Sequence, residues 1–368
     1  MAIFGTRPEV IKLAPVVDAL RQSASLQPRI CLTGQHREML SQMLTLFELH
    51  PDHDLAVMQP NQDLFGLTAR LLQGLHAVLL AEHPDAILVQ GDTTTAFVAA
   101  LAGYYLRIPT GHVEAGLRSG DASHPFPEEI NRRLTSHVAS WHFAPTQRAR
   151  ENLLREGILA ERIVVTGNTI VDAIHEILVR LERHPADLRA FLPPDLMQGR
   201  RLILVTGHRR ESLGEGLRNI CAALRTIAER NDDVVILFPV HLNPHVQATV
   251  KHILGNHRRI LLTEPLDYVQ FIGLMRRAYF IITDSGGIQE EAPSLGIPVL
   301  VVRETTERPE GVEAGGSRLV GTRSERIIAE AERLLYDASA YRRMVTATNP
   351  YGDGHAAEAI VQHLEHWV

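Results

Sequence analysis

Eleven short, nearly continuous apolar runs, rich in β-branched residues, alternate along this chain with longer stretches of helical period. A run that is apolar on both of its alternating faces needs cover on both sides, which is the situation of a parallel strand between two helical layers. The first set lies at residues 1–4, 29–33, 86–90, 110–113, 141–144 and 163–166. The second lies at residues 201–206, 234–239, 260–263, 279–283 and 297–302. In the helical stretch 9–21, Val10, Ile11, Ala14, Val17 and Leu20 form one stripe; Pro8 suits a first helical position and Pro15 predicts a kink. Strand and helix alternating at this spacing predict an α/β fold of doubly wound parallel sheets.

Eleven strands are too many for one comfortable sheet, and 368 residues exceed what one core usually serves. Two Rossmann-like domains facing a cleft follow, with ligands at the carboxyl ends of the strands. The boundary falls between Asn168 and Arg201, where a helix-like run at 171–181 gives way to His184-Pro185 and Pro193-Pro194. Residues 1–168 form the first expected domain and 169–349 the second.

Composition removes several function classes. Apolar residues make up 45% and charged residues 22%, the balance of an ordinary globular protein, and 5% aromatic argues against a stacking platform for single strands. Net charge is −6, from 43 acidic and 37 basic residues without a basic run, so no nucleic acid partner is expected. Cys31 and Cys221 read as buried apolar residues in a reducing compartment. No signal-peptide pattern and no 18-residue apolar run is evident, so a cytoplasmic protein with no membrane segment is expected.

Chemistry concentrates where strands end. Gly5-Thr6-Arg7-Pro8-Glu9, Gly91-Asp92-Thr93-Thr94-Thr95, Gly207-His208-Arg209-Arg210-Glu211 and Asp284-Ser285-Gly286-Gly287 each follow a strand and open a helix. A glycine turn at a helix N-terminus can receive phosphate on its N–H groups, and Ser285, Gly286 and Gly287 are the best candidates; a merely tight turn is the plain alternative. Neither G-x-G-x-x-G nor a P-loop occurs, which disfavours a redox cofactor or ATP hydrolysis. Asp92, Glu114 and Glu128 lie at or after strand ends and can serve acid–base chemistry, though a structural pair or a helix cap is as good a reading of each; Asp92 is a plausible cap. Pro244 between His241 and His245 makes zinc ligation a poor reading, so no metal is expected.

Taken together, the turns above, Gln35-His36-Arg37-Glu38-Met39, His112 to Arg118, Pro127 to Arg132, Pro239 to Pro244, Thr305 to Glu310 and Asn349-Pro350-Tyr351-Gly352-Asp353-Gly354 resemble the non-hydrolysing UDP-N-acetylglucosamine 2-epimerases. The order matches over essentially the whole chain. The resemblance implies a two-domain fold similar to GT-B glycosyltransferases, a homodimer, and a C-terminal helix over about residues 350–368 packing back on the first domain. It implies that Arg7, Lys12, His208, Phe271, Ser285, Gly286, Gly287, Glu291 and Arg308 hold the nucleotide diphosphate. Glu291 would bond the ribose, and the backbone near Leu266 and Phe271 would receive uracil. Asp92, Glu114 and Glu128 would be the acid–base residues, with His208 counted among the catalytic groups.

Some members also bind a second UDP-GlcNAc as an allosteric activator, and Gln35, Arg70, Arg210 and His241 fall where that site would lie. One departure is the start, where only Met1-Ala2-Ile3-Phe4 precede Gly5 and a weakened first strand is expected. The implied activity interconverts UDP-GlcNAc and UDP-ManNAc without a cofactor. A hydrolysing epimerase, a GT-B glycosyltransferase and a non-catalytic UDP-sugar sensor are the competing readings.

Overall fold

The computed structural model describes residues 1–34, 37–59, 62–185, 188–207 and 214–367, with residues 37–39 described by their backbone alone. The strands are β1 (Ala2–Phe4), β2 (Ile30–Leu32), β3 (His53–Asp54), β4 (Ile87–Gln90), β5 (Thr110–Val113), β6 (Trp141–Ala144), β7 (Ile163–Val165), β8 (Arg201–Thr206), β9 (Val234–Pro239), β10 (Ile260–Thr263), β11 (Phe280–Thr283), β12 (Val299–Val301) and β13 (Ser317–Leu319). The helices are α1 (Arg7–Gln22), α2 (Arg37–Leu46), α3 (Leu64–Glu82), α4 (Thr94–Leu106), α5 (Glu128–Val138), α6 (Gln147–Arg155), α7 (Thr169–Arg183) and α8 (Pro194–Met197). They continue as α9 (Glu215–Arg230), α10 (Pro244–Leu254), α11 (Tyr268–Arg277), α12 (Gly286–Ser294), α13 (Pro309–Glu313), α14 (Ser324–Tyr336), α15 (Ala338–Val345) and α16 (Ala356–Trp367).

Two compact units result, one of Met1–Ala173 with Tyr351–Val368, the other of Ile174–Pro350. The first holds a seven-stranded sheet in the order β3-β2-β1-β4-β5-β6-β7, the second a six-stranded sheet in the order β10-β9-β8-β11-β12-β13. All their strand pairings are parallel, for example Ile3 on Cys31 and Ile281 on Leu204. The doubly wound α/β class read from the sequence therefore forms twice. β3 and β13 are additional to the eleven apolar runs. Both are edge strands, and an edge needs neither the length nor the two apolar faces of an interior strand: His53-Asp54 is polar, and Ser317-Arg318-Leu319 carries an arginine at its centre.

In the first unit α1 runs through Pro15 without ending, and Val10, Leu13, Val16 and Val17 are fully buried. That face is wider than one stripe because α16 packs on α1 as the sheet does. The C-terminal segment is fixed by Asn168 N–H donating to the Tyr351 carbonyl at 2.7 Å and Ala357 N–H to Asp172 Oδ1 at 2.8 Å. Trp367 stands edge-on to Trp141 with ring centroids 4.7 Å apart.

α3 departs from the expectation that no 18-residue apolar run occurs. Over an 18-residue window this 19-residue helix reaches a mean hydropathy of 1.5, enough by length and composition to cross a membrane. Arg70, Gln73 and His76 interrupt the run letter by letter but not its average. Leu67, Leu71, Leu75 and Leu79 join the core over the sheet, while Phe65 and Leu80 face outward. Cys31 and Cys221 are buried free thiols, and burial pushes both up to about 12.

Candidate functional site

In the seven-stranded sheet the strand order reverses between β1 and β4, and the turns leaving β1, β4 and β5 meet at that edge. Gly91 takes φ +73°, which a glycine adopts without strain, and Asp92 follows it. Thr93, not Asp92, caps α4, accepting from Ala96 N–H at 3.0 Å. The Asp92 carboxylate is instead ion-paired with Arg132, and its carbonyl accepts from Asn131 Nδ2 at 3.0 Å.

Glu114, one residue past β5, has φ +64°, a conformation uncommon outside glycine and costly enough to need support from its surroundings. The support is visible. Its carboxylate is ion-paired with Lys12 and accepts from Gln90 Nε2 at 2.6 Å and Asn168 Nδ2 at 3.1 Å. The side chain is only 8% exposed, so these charge-assisted bonds act in a poorly hydrated setting. Glu128 is half-buried at the first turn of α5, three and four residues before Asn131 and Arg132, hence on the helix face that reaches Asp92. Its neighbour Glu129 is fully buried and holds Arg132 at 3.3 Å, Arg133 at 2.9 Å and Ser119 N–H at 3.0 Å.

The turn after β1 has a different use from the one its letters suggest. Glu9 folds back so that Oε2 accepts from Gly5 N–H at 3.0 Å and Thr6 N–H at 2.7 Å, while Oε1 accepts from Thr93 Oγ1 at 2.6 Å. The chain's own carboxylate thus fills the anion position at this helix start. Burial pushes the Glu9 carboxyl above its ordinary range, against the pull of those donors. Below it, His112 Nε2 donates to the Gly91 carbonyl at 2.7 Å, and burial holds its imidazole down at about 4. His142, its register partner on β6, is held down at about 3 by burial, and neither ring nitrogen has a hydrogen-bond partner among the described residues.

In the second unit the reversal falls between β8 and β11. Thr206 and Thr283 side chains meet there at 2.6 Å, and Thr283 Oγ1 accepts from Ser285 N–H at 2.9 Å. α12 then opens on Gly286 and Gly287, with Ser285 as a cap whose side chain makes no capping bond among the described residues. A Cβ on Gly287 would meet only Ser285 Oγ, at 3.9 Å. Further along α12, Glu290 accepts from Arg308 Nε at 2.8 Å and Glu291 from the Tyr268 hydroxyl at 3.0 Å. Thr306 Oγ1 donates to Gln289 at 2.7 Å and accepts from Arg308 N–H at 3.1 Å, fixing the segment that carries the arginine.

The other sequence-predicted residues fall as follows. Arg7 opens α1 and Lys12 is buried one turn on, against Glu114. Leu266 and Phe271 flank Asp267, which caps α11. Arg70 reaches the Val57 carbonyl at 3.1 Å and Gln62 at 2.8 Å; His241 is exposed and accepts from Asn243 N–H at 3.1 Å. Gln35, His208 and Arg210 lie outside the described residues. Sequence reasoning did not single out Gln90, Asn168 and Arg132, which hold the carboxylates, nor Tyr268 and Thr306. Arg132 and Thr306 left a signal, each lying inside a motif already noted, Pro127 to Arg132 and Thr305 to Glu310.

The fold defines the class: a two-unit, doubly wound α/β protein of GT-B-like type, with a strand-order reversal in each sheet. Within that class the chain belongs to the UDP-N-acetylglucosamine 2-epimerase family, which residues 18–365 match. It is 55% identical over 369 residues to the UDP-N-acetylglucosamine 2-epimerase of Salmonella typhimurium, covering 99% of this chain and 98% of that one. The enzyme of the same name from Escherichia coli is 51% identical over 371 residues, with the same coverage. The crystal structure of UDP-GlcNAc 2-epimerase from Neisseria meningitidis bound to UDP-GlcNAc superposes with a TM-score of 0.92 at 44% identity, covering 99% of each chain. That of the Methanocaldococcus jannaschii enzyme in complex with UDP-GlcNAc and UDP gives 0.81 at 38% identity, again with 99% of each chain covered.

Proposed function

We propose that the chain interconverts UDP-GlcNAc and UDP-ManNAc without hydrolysis. The C2 proton of a sugar nucleotide is not adjacent to a carbonyl, so direct abstraction is very unfavourable. Departure of UDP with the C1–O bonding electrons builds positive charge at C1, which acidifies C2–H. A carboxylate takes that proton, a C1=C2 double bond forms, and 2-acetamidoglucal results. In the return step a UDP oxygen bonds to C1 and the alkene electrons take a proton at C2 from the opposite face. The scheme needs carboxylates at C2 and cationic or N–H donors for the diphosphate.

What carries the reading is the meeting of carboxylates at one sheet edge: Asp92 and Glu114 leave adjacent strands, and the helix that begins at Glu128 supplies the residues holding Asp92. In this reading Asp92, Glu114 and Glu128 are the acid–base groups, with His208 assisting. Ser285, Gly286, Gly287 and Arg308 take the diphosphate with Arg7 and Lys12, Glu291 takes the ribose, and Leu266 and Phe271 take the uracil. Residues 1–168 with the C-terminal helix are the acid–base domain and residues 169–349 the UDP domain. No cofactor takes part, and the setting is cytoplasmic. A second UDP-GlcNAc acts as an activator through Gln35, Arg70, Arg210 and His241; sigmoidal kinetics retained in alanine variants of all four would sink that part.

The working form is a homodimer. Its support is an outward apolar face on the successively packed helices α3, α4 and α5, carrying Phe65, Leu80, Tyr104, Tyr105 and Leu134. Light scattering decides it: Tyr104→Glu should shift a dimer to monomer, and a monomeric parent ends the idea. For the activity itself, proton NMR with UDP-GlcNAc in D₂O, without added NAD or metal, should show UDP-ManNAc appearing and deuterium entering C2 of both epimers. Free ManNAc with UDP would place the chain in the hydrolysing class instead, and an unchanged spectrum from folded protein would favour a transferase.

A further inference from the structure

We infer that His112 is a positioning residue for this reaction, holding the turn of Asp92 in register with Glu114 through the Gly91 carbonyl. The inference rests on the epimerase reading above. The Gly91 peptide is gripped on both sides by consecutive residues of β5: its N–H donates to the Val113 carbonyl at 3.0 Å, and its carbonyl accepts from His112 Nε2 at 2.7 Å. The residue before Gly91 is Gln90, which donates to Glu114; the residue after it is Asp92. His112 therefore ties together the ends of the two strands that carry the carboxylates, through the backbone between them.

The bond is specific in its chemistry. A carbonyl only accepts, so Nε2 carries the proton, and Nδ1 has no partner among the described residues. His112 is 1% exposed, so bulk solvent does not reach the bond, and Gly91 at φ +73° has no side chain to limit how its peptide turns once released. A core histidine retained for volume alone would not need its donor on the ε side.

Three substitutions separate the two roles. His112→Met keeps the volume and removes the donor; it should lower kcat about 100-fold, the scale of an ångström-level displacement of a catalytic group, with KM changed less than threefold. His112→Gln places an amide N–H near the Nε2 position and should recover most of that loss. His112→Asn places it near Nδ1 and should not. Independently of activity, long-range ¹H–¹⁵N correlation on the wild type should show the Nε2–H tautomer. Equal activity of the Met and Gln variants, or an Nδ1–H tautomer, would overturn the inference. A wild type that fails to exchange the C2 proton would instead overturn the epimerase reading, leaving the tautomer result to stand or fall alone.

Discussion

The two sheets reverse their strand order in the same way, yet the turns at the two reversals are built oppositely. In the first unit the Gly5-Thr6 N–H groups are filled by Glu9, and the edge is built of carboxylates held by Lys12, Arg132, Gln90 and Asn168. In the second, α12 opens on two glycines, the second of them open to approach, with the acidic residues placed further down the helix against Arg308 and Tyr268. A strand, a glycine and a helix start are thus not in themselves a phosphate site. What decides is whether the chain supplies its own anion, and a glutamate in the first helical turn is the feature to look for.

The sharpest way to break that comparison is to disable the carboxylate edge alone. Glu114→Gln should cut the rate of C2 exchange by about 10³-fold while UDP, measured by calorimetry, still binds with near-parental affinity. A parallel loss of UDP affinity would mean the division of labour is wrong. From the other side, Gly287→Ala should weaken UDP binding about tenfold, roughly one lost hydrogen bond, while raising stability by about 0.4–1 kcal/mol because alanine fits the open helix position. Unchanged UDP affinity would show that nothing approaches this backbone.

Glu9→Gln tests the self-filled turn. Replacing its carboxylate should cost about 1–2 kcal/mol of stability near pH 7. It should also change the pH dependence. Because burial holds the Glu9 carboxyl above its ordinary 4.5 in the folded state, the folded protein keeps that proton to higher pH than the unfolded chain. This residue's contribution therefore falls as pH rises from 4.5 through the raised value and is flat beyond, a slope the variant should lack in thermal melts. The smallest effect belongs to His142. Held at about 3 when folded against 6.5 when unfolded, it is neutral in the fold, so its contribution is complete above 6.5 and lost as pH falls. His142→Leu should leave stability at pH 7.5 within about 1 kcal/mol and shrink the drop between pH 7.5 and 5; an unchanged drop would mean the acid sensitivity lies elsewhere.

Much of this architecture is legible in the letters. Interior parallel strands must be apolar on both faces, so their runs stand out, and a turn after each is marked by glycine. The edge strands β3 and β13 escape because half their environment is solvent. The site is legible only in part, for a reason of distance. Asp92 and Glu114 lie in motifs, but Lys12 meets Glu114 across 102 residues of chain and Asn168 across 54, and no local pattern encodes such a pairing. The ambiguity over Asp92 as a helix cap dissolves only when Thr93 is seen in that place. Glu9 reads as part of a phosphate turn in the letters because its reach back to Gly5 is a matter of rotamer, not of composition.

The return of α16 to α1 sets an order of events during synthesis. Ile360, Val361 and Leu364 are buried in the first unit, yet all of the second unit precedes them along the chain. A ribosome therefore finishes every strand of both sheets before the last helix of the first unit emerges. Until then the outer flank of α1 and the Trp141 ring have no cover, while the second unit already has all of its own residues. The half of the molecule translated first is the half completed last, and for that interval its exposed flank is where a nascent chain of this design is open to chaperones and to mispairing.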